Sequence, residues 1–287
     1  MKNLKIKISA LLLIAFLAVF ATGAKKNKKA AAATAAYPKS IVALSPSAAE
    51  ILFAVGAGDQ VAAVSEFTDF PEAAKAKPVV GGFDGKTLSV ETIMSFKPDL
   101  VYLTEGMHNF LIATLESNGI AYYISKGESI ASVEQEILDI GKLTGHDKEA
   151  KKIVDGMEKK LAKVAASAKK STPVKVYYEV WNAPYMSVGA TSFINDVISK
   201  AGGENIFADL SDAYPMVSEE AIITREPAVI LLPSSSGQAA SSVGLRNGWA
   251  DIPAVKNGKV IVVDDNFYTR PGPRIADVVV ELSELLK

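Results

Sequence analysis

The sequence predicts an α/β protein of two lobes, each built on a mostly parallel sheet, joined by a single long helix. Three observations carry this. From residue 40 onward, short β-branched runs alternate with amphipathic helical patterns. A series of local patterns in the first half recurs, in the same order, in the second. Between the halves, residues 132–170 keep apolar residues at helical spacing with Lys and Glu between them.

The first segment reads as an address. Lys2, Lys5 and Lys7 form a positive start, residues 10–20 an apolar stretch, and Ala21-Thr22-Gly23-Ala24 a small-residue end, so residues 1–24 are expected to be a secretory signal. The apolar stretch is shorter than the roughly 18–20 residues that span a bilayer. The expected compartment is periplasmic or otherwise extracytoplasmic. With Cys at position 24, this end would resemble a lipoprotein cleavage box. With Ala24, the sequence as written has no thiol to carry a lipid anchor. Residues 25–38 follow as a low-complexity tether, because mutually repelling lysines and an Ala run offer nothing to bury.

The N-terminal lobe is expected over 39–146. Strands are predicted at 41–44, 61–64, 100–103 and 121–124, and helices at 48–55, 90–96 and 109–117. The connecting helix is expected over 147–170, restarting after Thr144-Gly145-His146 with Asp147 as its N-cap and His146 solvated. The C-terminal lobe, 171–287, has predicted strands at 174–180, 229–232 and 260–263 and helices at 193–200, 219–224 and 275–286.

The internal echo is specific. Ser89-Val90-Glu91 leads through Ile93 to Pro98 and an apolar strand; Ser218-Glu219-Glu220 leads through Ile222 to Pro227 and another. With Ser89 and Ser218 as N-caps, Glu91 and Glu220 both fall at N2, favourable against the helix dipole. Neither N3 residue, Thr92 or Ala221, completes a Glu/Gln capping box, so both carboxylates are expected to point outward.

Composition excludes several functions. Lys+Arg 31 against Asp+Glu 32 gives no basic face for nucleic acid. The absence of cysteine removes disulfides, thiol nucleophiles and Fe–S ligation, and two histidines are too few for a multi-His Zn or Mn site. No Gly-x-Ser-x-Gly elbow is present, and Gly56-Ala57-Gly58 follows a helix rather than a strand, so it is not a dinucleotide fingerprint. No enzyme activity, resident cofactor or metal site is expected.

What remains is a binder. Two α/β lobes leave a groove where loops at strand C-termini face each other. Those loops carry Phe67, Phe83, Trp181, Tyr185, Tyr214 and Tyr268, with Arg270 beside them. Flat aromatic faces with an arginine suit a large, partly planar small molecule. Phe70, next to Pro71, is expected in the core. Met107 and His108 are soft donors in one such loop, so haem ligation through His108 is the alternative reading, with free Zn or Mn less favoured.

Over residues 39–287 the chain resembles the substrate-binding proteins of bacterial ABC importers for iron chelates, haem and cobalamin. The likeness rests on residues 41–46 with Glu50, on 64–71, 88–103, 202–207 and 214–220, and on the RPGPRI run at 270–275. It implies a class III periplasmic-binding-protein fold of two Rossmann-like lobes. It further implies a monomer that captures a metal chelate, a corrinoid or ferric siderophore, for a permease dimer. By the same resemblance, Glu91 and Glu220 look like the glutamates that dock on permease arginines. Phe83 and Tyr214 look like the facing aromatics around a corrinoid, and Phe67, Asp265 and the loop from Tyr268 to Arg270 look like further ligand contacts.

Overall fold

The computed structural model describes residues 37–287 apart from Phe83, Gly85 and Lys170. The signal segment and most of the tether lie outside the described residues, as does the aromatic ring expected at Phe83.

In the N-terminal lobe, β1 (Ile41–Ala43), β2 (Val61–Val64), β3 (Leu100–Thr104) and β4 (Ala121–Ser125) alternate with α1 (Pro46–Ala54), α2 (Glu72–Lys75), α3 (Val90–Ser95) and α4 (Ile112–Ser117). Two helices in tandem follow, α5 (Ile130–Thr144) and α6 (Asp147–Ala168). The C-terminal lobe holds β5 (Val174–Tyr178), β6 (Trp181–Asn182), β7 (Tyr185–Met186), α7 (Phe193–Lys200), β8 (Gly203–Asn205), α8 (Glu219–Arg225) and β9 (Val229–Pro233). It ends with α9 (Ala240–Val243), α10 (Pro253–Lys256), β10 (Val260–Val263), α11 (Asp265–Tyr268) and α12 (Ile275–Leu285).

The two main sheets are wholly parallel and share one topology. The first runs β2-β1-β3-β4, and the second, taken from its opposite edge, runs β8-β5-β9-β10. The echo in the sequence is therefore an echo in space.

Strand alternation divides the core. Ile41, Ala43, Leu100 and Tyr102 face one side of the first sheet; Val42, Leu44, Val101 and Leu103 face the other. In the second sheet Val176, Tyr178, Val229 and Leu231 oppose Tyr177, Ile230 and Leu232. The first set from each lobe joins α5, α6, α7 and α12 in one continuous apolar cluster, while the second sets form a separate core under each outer face. The lobes thus share packed interior on the connector side, and wide separation would expose it to water.

Local chemistry sets the helix ends. Ser45 accepts from the Ala48 N–H with Pro46 at N1, and Ser129 and Ser132 exchange side-chain and backbone bonds at the start of α5. Gly145, at φ +82°, ends α5 in the left-handed conformation. Asp147 is the first residue of α6 rather than its cap; His146 holds the cap position without a side-chain bond to the helix. His146 is half-buried instead of solvated, its Nδ1 3.2 Å from Thr144 Oγ1. At 22 residues, α6 is about 33 Å long.

Candidate binding cleft

The loops after the strand ends of the two lobes meet. Arg270 Nη1 lies 2.5 Å from Asp69 Oδ1, joining the loop after α11 to the loop after β2. Arg274 donates to Glu50 on α1 through Nε and Nη2 at 3.0 and 2.8 Å, and its guanidinium sits 4.0 Å over the Phe70 ring and 5.3 Å from Phe267. Phe70 is therefore not a core residue: it is 41% exposed and serves as a face for Arg274. Gly127 completes the junction, since a Cβ there would stand 3.1 Å from Pro271.

Three residues predicted to line the cleft are turned away from it. His108 is fully buried, and its Nδ1 accepts the Thr104 N–H at 2.9 Å, so the ring is absorbed in holding its own loop. Tyr268 is buried with its hydroxyl donating to Glu281 at 2.8 Å, because α11 packs on α12. Tyr185 donates to Glu219 at 3.1 Å and packs beside Trp249, 5.5 Å between centroids, with the Arg246 guanidinium 5.5 Å from its ring. That cluster closes on Glu179, a fully buried carboxylate held bidentately by Arg246 at 2.6 and 2.8 Å and by Gln238 at 3.0 Å.

Other predicted residues do reach open space. Phe67 adopts φ +64°, unusual for a bulky side chain, and leaves its ring 69% exposed. Such a conformation costs about 1–3 kcal/mol and persists where the surroundings impose it. Trp181 is 55% exposed, its indole N–H donating to the Ala183 carbonyl at 3.0 Å. Tyr214 is 54% exposed.

No local sequence signal marks the company these two keep. Trp181 pairs with Met186 across the β6–β7 ribbon, and Met186 bridges to Met216 in a third extended segment. Directly opposed residues share a face, and exposed Tyr214 lies in the bend just before Met216. The result is a soft apolar wall on the C-terminal lobe.

Behind Tyr214 a cavity of about 180 Å³ is lined by Tyr178, Val188, Phe193, Ile194, Asp265 and Thr269, among others. Asp265 Oδ1 accepts from Ser234 Oγ at 2.5 Å and the Ser235 N–H at 3.0 Å. Burial works against ionisation of Asp265, but these bonds outweigh it and hold its carboxyl below the usual range. Asp69 behaves likewise, with Arg270 overcoming the burial.

Both predicted N-caps form: Ser89 Oγ accepts the Thr92 N–H at 3.2 Å and Ser218 Oγ the Ala221 N–H at 3.1 Å. Glu91 and Glu220 are exposed, one on each lobe, and neither carboxylate has a hydrogen bond or ion pair among the described residues. Glu219, one residue earlier, is by contrast tied inward by Trp249 and Tyr185.

Residues 41–267 match the family model described as periplasmic binding protein. The chain belongs to this family. A periplasmic binding protein is a transport component, not an enzyme. Among relatives, an uncharacterized ABC transporter substrate-binding lipoprotein of Bacillus subtilis, YvrC, is 32% identical over 255 residues, covering 86% of this chain and 79% of its own. The solved vitamin B12-binding protein BtuF of Vibrio cholerae superposes with a TM-score of 0.77 at 27% identity, covering 87% of this chain and 96% of that one. The apo haem-binding protein RhuT of Roseiflexus sp. RS-1 gives 0.76 at 25% identity, covering 86% and 97%. Among the described residues of this periplasmic binding protein, no helix is long and apolar enough to cross a membrane. Nor does any group of three or more His, Cys, Asp or Glu stand ready to hold a metal ion.

Proposed function

We propose that this periplasmic binding protein captures a metal chelate of the corrinoid class in the cleft between its lobes and delivers it to the permease pair of an ABC importer. The observation that carries the reading is the state of the two cleft arginines. Arg270 is paired with Asp69 and Arg274 with Glu50, so neither guanidinium is left over for an anionic cargo. A ferric catecholate would lose its water shell there and gain no counter-charge from either arginine. A bulky chelate of low net charge loses little and gains contact with Phe67, Tyr214 and Trp181. The protein acts outside the cytoplasmic membrane as a monomer with no cofactor of its own, the chelate being its cargo. Glu91 and Glu220, exposed and unpaired on the two lobes, are the docking carboxylates for arginines on the permease.

Calorimetric titration with cyanocobalamin, haemin and a ferric tris-catecholate tests the cargo. Cyanocobalamin is expected to bind 1:1 and most tightly; tighter binding of the catecholate overturns the assignment. Glu91→Ala with Glu220→Ala is expected to leave that binding unchanged and abolish uptake. Undiminished uptake removes the docking role.

A further inference from the structure

We propose that the cavity behind Tyr214 is a subsite for an uncharged primary carboxamide arm of the cargo, with the Tyr178 hydroxyl donating to the amide oxygen and Asp265 accepting from its NH₂. This rests on the reading of the cleft as the cargo site.

At about 180 Å³ the cavity is smaller than the roughly 300–1,000 Å³ of a whole drug-sized site, so it takes one arm of a larger molecule. Its walls are apolar through Val180, Val188, Phe193 and Ile194. Polar side chains break that lining at Tyr178, Tyr214, Ser235, Asp265 and Thr269, and two of these, Tyr178 and Asp265, carry the proposal. Tyr178 is buried to 3% exposure, and its hydroxyl has no hydrogen-bond partner among the described residues. Burial first, and then the charge of Asp265, push this hydroxyl well above the ordinary phenol range, so it is present as O–H and offers a proton.

Asp265 supplies the complementary half. The bonds from Ser234 Oγ and the Ser235 N–H both end on Oδ1, so Oδ2, with the Ser235 hydroxyl beside the carboxylate, keeps acceptor capacity. One donor and one ionised acceptor beside apolar walls match the C=O and NH₂ of a carboxamide. A carboxylate arm meets the same Tyr178 donor but is repelled by Asp265. An ammonium arm can donate to Asp265 and to the Tyr178 oxygen, but it leaves the Tyr178 O–H proton without an acceptor.

Saturation-transfer NMR on the full chain with benzamide, benzoate and benzylamine tests this without a corrinoid. Benzamide is expected to show transfer, and Tyr178→Phe, which keeps the ring and loses only the hydroxyl, is expected to weaken it at least fivefold. Benzoate is expected to show none. Benzamide transfer that is absent or indifferent to Tyr178→Phe overturns the subsite, as does benzoate binding equal to benzamide. So does benzylamine binding more tightly than benzamide and independently of Tyr178. Titration of the same two proteins with cyanocobalamin separates the two proposals. If benzamide binds through Tyr178 but cyanocobalamin does not bind, the subsite stands and the corrinoid reading falls. If cyanocobalamin binds both proteins equally and benzamide ignores Tyr178, the reverse holds.

Discussion

Arg274, at the N-cap of the last helix, donates two hydrogen bonds to the carboxylate of Glu50 on the first helix, binding the C-terminal lobe to the N-terminal one. Glu50 is only 2% exposed, and its charge is held in the interior by this partner. Breaking a buried pair leaves the other charge uncompensated, typically at about 3–5 kcal/mol. Arg274 is partly exposed and stacked on Phe70, so water relieves some of that cost.

Glu50→Ala is therefore expected to lower stability by about 3 kcal/mol, near the bottom of the range for a buried pair. Urea denaturation followed by far-UV circular dichroism measures it. A loss under about 1 kcal/mol would mean that the pair behaves like an exposed salt bridge.

The two tryptophans offer a second prediction. Trp249 is fully buried in the outer core of the C-terminal lobe, whereas Trp181 projects from the ribbon. Acrylamide is expected to quench one fraction of the emission readily and leave the other. In Trp181→Phe, only the resistant, blue-shifted fraction is expected to remain. Equal quenching of the wild type and this variant would place Trp181 inside the protein.

A third concerns pH. Glu136 on α5 is buried and accepts from the Tyr102 hydroxyl and from Ser125 Oγ, the latter at 3.0 Å. Burial raises its carboxyl above the ordinary value of 4.5, and the two hydrogen bonds only partly offset this. The folded chain thus keeps this proton to higher pH than the unfolded chain does. Its contribution is full below pH 4.5 and declines as pH rises through the folded value. Glu136→Gln, which cannot titrate, is expected to gain on the wild type in urea midpoint between pH 4.5 and 7.5. A constant difference between the two across that range counts against a raised Glu136.

The central strands of both lobes were legible because parallel strands buried on two faces need unbroken apolar runs, and 41–44, 100–103 and 229–232 are such runs. The caps at Ser89 and Ser218 were legible because capping is settled within four residues. β8 was not: Gly203-Glu204-Asn205 has no strand composition and extends only because β5 offers a free edge. Gly203 suits that place because a Cβ would come within 2.8 Å of the Ile198 side chain. The β6–β7 ribbon was missed too, its two-residue strands being too short to show a period.

By itself the sequence determined the fold class, the matched order of the two halves and the outward carboxylates at Glu91 and Glu220, since periodicity, capping and repetition are local or self-comparing properties. Only the tertiary structure decided which loop residues face the cleft. Tyr185 shares the β6–β7 ribbon with exposed Trp181, yet Glu219 and Trp249, far along the chain, draw it inward, and His108 and Tyr268 are buried while Phe67 and Tyr214 stay open. The same reason hid the pairs Asp69–Arg270 and Glu50–Arg274, whose members lie 201 and 224 residues apart. Charges that meet only when two lobes close on each other leave no trace in local sequence.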